Sequence, residues 1–518
     1  MPQQIAHVNQ PHEIEFTGPE QPIRADRVPF QATFTHESGR SMTVLGFWDG
    51  ERRYLARIAP PLAGRWTWRT TSDAAELDGR SGEFTAEPAE PAGSAESDRS
   101  PGHGVVRVNA RFHFAHEDGT PFRPVGATVY NWIHQDEALR TETVESLSAA
   151  GLNKLRFMVF PQAGGYVEHV PELMPFEKTA NGWDVGRPNI EFFRRLDSLV
   201  ADLGNRGIEA DVLIFDAYDR GAFGLNELTE EQDAAYLRYL VARLGAYPNV
   251  WWSLCNEFDQ MTDRPTERWT RAGELLAEID AHDHLRSIHN WIELYDYNQP
   301  WVTHASIQNG FATEALGRAS LYRDVYGKPV VLDEIKYEGD CPERWGQLSG
   351  QELVDRFWIT TSSGCYASHG ESFVTESGSL HIVEGGRLRG ESPVRLGFLR
   401  EVLEGLNVPG LDPIDKWDDP ACVVGTPREQ YLVYLGREAP AEWTFRLPQG
   451  HGGDRLEVGD AFAVEIIDTW NMTRTPAPES FALTDVQRND AYATGNAPLS
   501  LPEGEAIALL ITRVPSAA

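Results

Sequence analysis

The hydrophobic period of this 518-residue chain changes twice along its length, and those changes limit the architecture more than any single motif. From residue 13 to about 86, apolar and polar residues alternate in short runs: QATFTHE (Gln31–Glu37), SMTVLGFW (Ser41–Trp48), RRYLARI (Arg52–Ile58) and RWTWRTT (Arg65–Thr71). A period of two in several short segments predicts an antiparallel β-sandwich. Asp49-Gly50 predicts a tight hairpin between two of those strands, because both central residues of such a turn need positive φ. The stretch from Ala86 to Gly104 has no apolar period, is rich in Pro, Ala, Ser and Gly, and reads as a linker.

From about residue 105, apolar strands alternate with amphipathic helices. Thr229–Tyr247 predicts one helix, with Thr229 and Gln232 as a capping box, Leu237, Leu240, Val241 and Leu244 as the apolar stripe, and Gly245 at the stop. Asn189–Leu203 predicts another through Phe193, Leu196, Val200 and Leu203, with Gly207 following. Eight strand candidates can be counted: PFRPVGATVY, NKLRFMVF, IEADVLIFDAYD, NVWWSLCNEFD, RSIHNW, WVTHASIQNG, PVVLDEIKYEG and GCYASHGESF. Eight βα units in about 300 residues is the rhythm of a (β/α)8 barrel. Helices are less obvious after the fifth and sixth strands, which keeps a doubly wound open sheet as the alternative. From about residue 420 short alternating runs return in QYLVYLG, WTFRL, FAVEIIDTW and AIALLITRV, predicting a second sandwich. The expected class is α/β, a (β/α)8 TIM barrel (101–408) flanked by an N-terminal β-sandwich (1–100) and a C-terminal β-sandwich (409–518).

The chain holds 46 Lys and Arg against 78 Asp and Glu, a formal net charge of −32. That balance argues against a nucleic-acid backbone or an anionic membrane as partner and favours neutral substrates. Four cysteines, Cys255, Cys341, Cys365 and Cys422, contain no CxxC pair and signal neither a zinc site nor a disulfide framework. The N-terminus lacks the basic-then-apolar pattern of a secretory signal and no apolar run reaches 18 residues, so the expected location is cytoplasmic.

Two glutamates carry the chemistry. Glu257 in NVWWSLCNEFD and Glu334 in KPVVLDEIKYEG each sit where an apolar strand runs out, on the predicted fourth and seventh strands. Those strands end across the barrel mouth from one another. A pair of carboxyls there is what glycosidic bond cleavage requires, one to protonate the leaving oxygen and one to attack the sugar. Burial after an apolar stretch should raise the Glu257 pKa and make it the proton donor. A gap of about 5 to 5.5 Å would retain anomeric configuration through a covalent intermediate, and one of about 6.5 to 9.5 Å would admit a water and invert it.

Asn256-Glu257 after strand four with a lone Glu334 after strand seven resembles the glycoside hydrolase superfamily called clan A, whose members are retaining (β/α)8 enzymes. The resemblance implies that Glu257 is the acid/base, Glu334 the nucleophile, Asn256 a partner of the sugar 2-hydroxyl, and Arg156 in NKLRFMVF the arginine beside the nucleophile. A narrower likeness covers most of the chain. The run from Gly46 to Phe84 is similar to an uncharacterised sandwich module that precedes certain bacterial barrels. NVWWSLCNEFD, HLRSIHN (His284–Asn290) and ASHGESF (Ala367–Phe373) resemble the barrels and C-terminal modules that travel with it. Asp216-Ala217 stands where His-Pro is usual before Tyr218-Asp219, and SLHIVEGG (Ser379–Gly386) lacks an expected tryptophan pair. Both departures bear on specificity.

Further polar residues at strand ends are candidate pocket lining: Tyr130, Asn131, Asp216, Asp219, His289, Asn290, His304, Gln308, His369 and Glu371. Trp132, Trp301, Tyr218 and Tyr366 are candidate sugar platforms. Trp251 and Trp252 point to opposite faces of one strand, so at least one should pack between barrel and helices. His289, His304, His369 and Asp216 also admit a metal-hydrolase reading, but no HxH stands on strand one and no HExxH occurs, and a phosphate-gripping glycine loop and a GxSxG elbow are missing. No metal or cofactor is expected. The expected activity is exo hydrolysis of short oligosaccharides or small glycosides. A transglycosidase using the same carboxylates and a non-catalytic carbohydrate-binding protein are the alternatives, and whether the chain forms a homo-oligomer stays open.

Overall fold

The computed structural model describes residues 5–20, 28–88, 101–164, 171–180, 182–219, 221–406, 408–414, 424–426, 428–449, 455–495, 497–502 and 506–514. The greater part of the expected linker and residues 415–423, Cys422 among them, lie outside these residues.

The central sheet has eight parallel strands. Strand one is Val125–Thr128, two Lys154–Met158, three Glu209–Asp216, four Val250–Asn256, five Arg286–Ser287, six Ala305–Gln308, seven Val330–Glu334 and eight Tyr366–His369. Their order is five, four, three, two, one, eight, seven, six, and the parallel bridge His289↔Ser306 joins the two ends. The sheet is therefore a closed barrel, and the open doubly wound alternative is excluded.

Helices cover the outside where the apolar stripes require it. Ile190–Asn205 starts at Asn189, whose side chain accepts from the Phe192 N–H, and buries Phe193, Leu196, Val200 and Leu203. Glu230–Leu244 has the expected capping box of Thr229 and Gln232, while Gly245 ends it in a right-handed conformation (φ −64°) that draws on no glycine freedom. Strand five leads into turns with no helix, and strand six is followed by a 3-10 turn, Gly310–Thr313, and a seven-residue helix, Ser320–Tyr326. These are the two places where the pattern is weak.

A three-stranded antiparallel sheet (Val106–Asn109, His113–His116, Pro121–Phe122) plugs the N-terminal end of the barrel. There Phe114 and Phe122 pack with Trp251, Val331 and Tyr366 in one buried cluster, whereas Trp252 faces the helices in the large outer core.

The N-terminal domain is a seven-stranded sheet folded on itself. Ser41–Trp48 pairs with Phe30–His36 through its first half and with Arg53–Ile58 through Gly46–Trp48. The switch falls at Gly46, where a Cβ would stand 2.1 Å from the Phe30 ring. The hairpin expected at Asp49-Gly50 is present but displaced: Gly50 (φ 100°) and Glu51 (φ 46°) take the left-handed positions, and Asp49 turns its carboxylate toward the barrel. The C-terminal domain is a second sandwich. Its main sheet is built on Gln430–Gly436, Ala461–Asp468 and Ile507–Val514, and its core includes Phe445, Phe462 and Phe481.

Both sandwiches are fastened to the barrel by named contacts. Arg243 donates to Asp49 Oδ1 (2.9 Å) and Asp197 Oδ2 (2.7 Å), and Arg57 reaches Asp197 Oδ2 (3.1 Å). The two guanidiniums lie 4.8 and 5.2 Å from the Phe47 ring centroid. On the other side Tyr434 donates to Asp355 (2.6 Å) and stacks on Trp358 (5.6 Å between centroids). Among the described residues no helix is long and apolar enough to cross a membrane.

Candidate active site

Each glutamate reaches the barrel mouth through a local break in strand geometry. On strand seven, Val331 packs inside the barrel and Leu332 in the outer core, so Asp333 points inward and a regular strand would turn Glu334 outward. The pairing with strand six slips by one residue between Ser306 and Gln308. That irregularity aims two successive carboxylates inward, the usual use of a bulge beside a site. Asp333 binds Lys154 (2.8 Å), while Glu334 accepts from Tyr130 (2.5 Å). On strand four, Asn256 already points inward toward Arg156 (2.8 Å), and Glu257 follows in the left-handed region at φ 52°. A non-glycine residue there is strained, and such strain concentrates at functional sites.

The pair meets at Gln308, on strand six opposite Glu334. A carboxylate oxygen accepts, so the nitrogen of the Gln308 amide is the atom that faces both glutamates. It donates to Glu257 Oε1 at 2.8 Å and to Glu334 Oε2 at 3.1 Å. Gln308 is itself held by its backbone N–H, which donates to Asn290 Oδ1 (3.1 Å). Glu257 also accepts from Gln260. Burial, then the charge of Glu334, pushes the Glu257 carboxyl up to about 8, against a hydrogen bond from Tyr218. Glu334 lies 3.7 Å from Arg156 Nη1 and 3.8 Å from His289 Nδ1.

Arg156 is fully buried and donates to Thr128 Oγ1 (3.1 Å) and Asn256 Oδ1 (2.8 Å), and Asn256 in turn donates to the Tyr218 hydroxyl (3.2 Å). Beneath it the barrel interior is ionic. Lys154 bridges Asp211 (2.6 Å) and Asp333, and Ser306 (2.5 Å) and Ser368 (2.6 Å) complete Asp333. Burial opposes ionisation of Asp333, but Lys154 and Arg156 outweigh it and hold the carboxyl well below the usual range. His289 is buried and its ring is held neutral by burial and by Arg156. Asp216 is buried without a cation, and burial lifts its carboxyl to about 8.

The geometry thus gathers Glu257, Glu334, Arg156, Asn256, Tyr130, Tyr218, His289 and Gln308, with Asp216 beside Asn256 in register. Other expected lining residues are engaged elsewhere. Asn131 accepts from the Gln162 N–H (2.8 Å) and shapes a loop. Trp132 is 0% exposed with its indole bonded to Arg140 O, so neither ring face is open to a sugar; Trp301 is likewise buried, against Gly273 and Tyr295. His304 precedes strand six and Tyr366 begins strand eight, so both lie at the plugged end, around Phe114. Glu371 accepts the backbone N–H groups of Arg389 and Gly390 (2.9 Å each), and His369 packs beside it and His381, which makes this group a clamp on the loop after strand eight. Asp219 accepts from Gly221 and Leu225 and ties its own turn. Gln260, Tyr337 and Asp333 are site neighbours that strand-end reasoning missed. The first two stand three residues past Glu257 and Glu334, a spacing that could have flagged them.

A cavity of about 720 Å³ opens at the plugged end, lined by His103, Arg123, Glu209, Asn249 and Arg400. Its chemistry is already committed, since Glu209 there is spent on the Trp251 indole (2.8 Å), while the paired carboxylates stand at the C-terminal strand ends where barrel chemistry resides. Among the described residues no group of three or more His, Cys, Asp or Glu side chains is placed to hold a metal.

Comparison with known proteins adds the family. Residues 108–369 match the model of the Apiosidase-like catalytic domain, 7–73 the domain of unknown function DUF5060, and 417–512 the domain of unknown function DUF5605. The crystal structure of a putative glycoside hydrolase from Bacteroides vulgatus is 33% identical, with 99% of this chain and 100% of that one covered at a TM-score of 0.92. A glycoside hydrolase family 5 structure from the same organism, at 15% identity, shares the fold with a TM-score of 0.58 over 79% of this chain and 93% of that one. The curated proteins contain no match. With the catalytic-domain model spanning half the chain and a full-length relative on the same fold, the chain belongs to the Apiosidase-like family and is a glycoside hydrolase.

Proposed function

We propose that the enzyme is a retaining, exo-acting glycosidase for short oligosaccharides or small glycosides, with Glu334 as nucleophile and Glu257 as acid/base. The observation that carries this reading is the single nitrogen of Gln308, which lies 2.8 Å from one carboxylate and 3.1 Å from the other. Two such legs limit those two carboxylate oxygens to about 6 Å apart, which favours the close pair of a retaining enzyme over the roughly 6.5 to 9.5 Å between carboxyls of an inverting one.

In the first step a Glu334 oxygen attacks the anomeric carbon. The bond to the leaving oxygen breaks as that oxygen takes the Glu257 proton. In the second, Glu257 removes a proton from water, the water oxygen bonds to the anomeric carbon, and the glycosyl ester breaks to restore the Glu334 carboxylate. The raised Glu257 carboxyl suits the acid role near neutral pH. Tyr130 and Arg156 steady the nucleophile, and Asn256, held by Arg156, is the partner for the sugar 2-hydroxyl. The deep setting of the pair, 4% and 7% exposed, supports a pocket that accepts a chain end over a cleft that accepts a polymer interior. This reading keeps the enzyme in the cytoplasm, acting on small imported glycosides.

The test is kinetic. Glu334→Ala should abolish hydrolysis of an activated aryl glycoside, and a folded variant with full activity would remove Glu334 from the nucleophile role. Glu257→Ala should spare activated leaving groups and lose about 100-fold or more on poor ones, which alone need the proton. NMR of the first-formed anomer decides between retention and inversion.

A further inference from the structure

We infer that Gln308 is a positioning residue whose one amide nitrogen follows the negative charge as it moves between Glu334 and Glu257 during turnover. The inference rests on the double-displacement reading above and goes beyond it. In the resting enzyme Glu334 carries the charge and Glu257 the proton. Once the sugar is esterified to Glu334, the charge resides on Glu257. A donor fixed to one carboxylate would stabilise one of these states and neglect the other. The Gln308 amide has two hydrogens on one nitrogen, one within reach of each glutamate, so it faces the charged oxygen at both stages without moving.

Three features make this a built arrangement. Asn290 Oδ1 accepts the Gln308 backbone N–H and also faces the Tyr297 hydroxyl (3.3 Å), which fixes the strand end. The one-residue slip in pairing with strand seven sets Gln308 opposite Glu334. The remaining partners are divided between the two carboxylates. Tyr130, Arg156, His289 and Tyr337 face Glu334, while Gln260 and Tyr218 face Glu257. Among these described neighbours only Gln308 is within hydrogen-bond reach of both. The bond to Glu257 also opposes the burial that pushes this carboxyl up.

The test uses Gln308→Met, which keeps the volume and removes the donor. Two readouts are needed. The first is the 13C titration of the Glu257 side-chain carboxyl in the intact, unliganded protein, assigned with Glu257→Gln; it requires no activity. The titration should move up by about one pH unit when the donor is lost. The second is kinetic: kcat should fall about 10- to 100-fold, with activated and poor leaving groups affected alike because both steps lose the donor, and the basic limb of kcat/KM should move up with the titration. An unchanged titration overturns the inference. So does a rise in KM with kcat and both limbs unchanged, which would make Gln308 a sugar contact. Should Gln308→Met fail to fold, Gln308→Leu removes the donor without adding a charge and carries the same expectations. Activity surviving in Glu334→Ala would instead sink the double-displacement reading, and the titration would still report whether Gln308 bonds to Glu257.

Discussion

Two buried charge clusters with nearly the same membership do different work in this molecule. One, inside the barrel, sets Lys154 and Arg156 against Asp211 and Asp333. The other, between the N-terminal sandwich and the barrel helices, sets Arg57 and Arg243 against Asp49 and Asp197. Each is built on two buried cations set against two buried carboxylates. The interface cluster runs out to the surface of the sandwich: Phe47 lies against both guanidiniums, Tyr239 bonds to Arg243 (3.2 Å), Arg53 and Arg194 cover the Asp49 side, and Arg57 continues to Glu13 (2.9 Å). The barrel cluster is open at the top, where Arg156 continues to Asn256 and Glu334. Burying ions is a poor way to gain stability, because desolvation consumes most of the attraction. What the two clusters share is fixed geometry, and what separates them is whether that geometry reaches the proposed nucleophile.

The comparison can be broken most decisively at Asp333. Asp333→Ala leaves Lys154 and Arg156 with one carboxylate fewer in the barrel interior, and should cost about 3 to 5 kcal/mol of stability together with about 100-fold or more in kcat. Denaturant unfolding and steady-state kinetics on the same sample check both; a variant that loses stability and keeps kcat would mean that the cluster only holds the fold. Asp49→Ala should cost about 3 kcal/mol, yet leave kcat and KM of the folded fraction within about twofold. A change in kcat there would mean that the sandwich also shapes the pocket.

The smallest expected effect sharpens the rule that both clusters illustrate. Asp49 and Asp333 sit beside cations that overcome burial and hold them below the usual carboxylate range, so their stabilisation is present above about pH 4 and is lost as pH falls through their lowered values. Asp216 has no such cation and is raised to about 8. The folded protein keeps a proton on Asp216 that the unfolded chain releases near pH 4, so its contribution is present at low pH and lost as pH rises toward 8. Asp216→Asn removes that dependence and keeps an acceptor for the Tyr218 N–H (2.8 Å). The fall in Tm between pH 5 and pH 8 should be shallower in this variant by a few degrees, and an unaltered slope would show that Asp216 is already ionised at pH 5.

Much of this was legible in the chain itself. Eight apolar runs became eight barrel strands, and the two regions of weak periodicity, after strands five and six, became turns and a seven-residue helix. Glu257 and Glu334 could be picked out because charge at the end of an apolar strand is conspicuous. Axial level was not legible. A period of two tells which face a residue takes but not which end of the barrel it occupies, so His304 and Tyr366, at the plugged end, read the same as His289 and Gln308 at the mouth. Nor was the state of an indole: Trp132 and Trp301 have the composition of sugar platforms, and only packing revealed them as core. The slip in strand seven was also invisible, since VVLDE reads as a regular strand in which Glu334 would face the helices.

That slip makes the placement of the proposed nucleophile depend on chain length at one point. Glu334 faces Glu257 across Gln308 because strand seven spends three steps where strand six spends two. Shortening strand seven by a single residue ahead of Glu334 would restore even alternation and swing the carboxylate into the oily layer under the helices, with most of the barrel's contacts unchanged. Relatives on this scaffold that keep every acidic residue could therefore fall silent by deletion, and comparing strand lengths would separate working enzymes from retired ones better than comparing side chains.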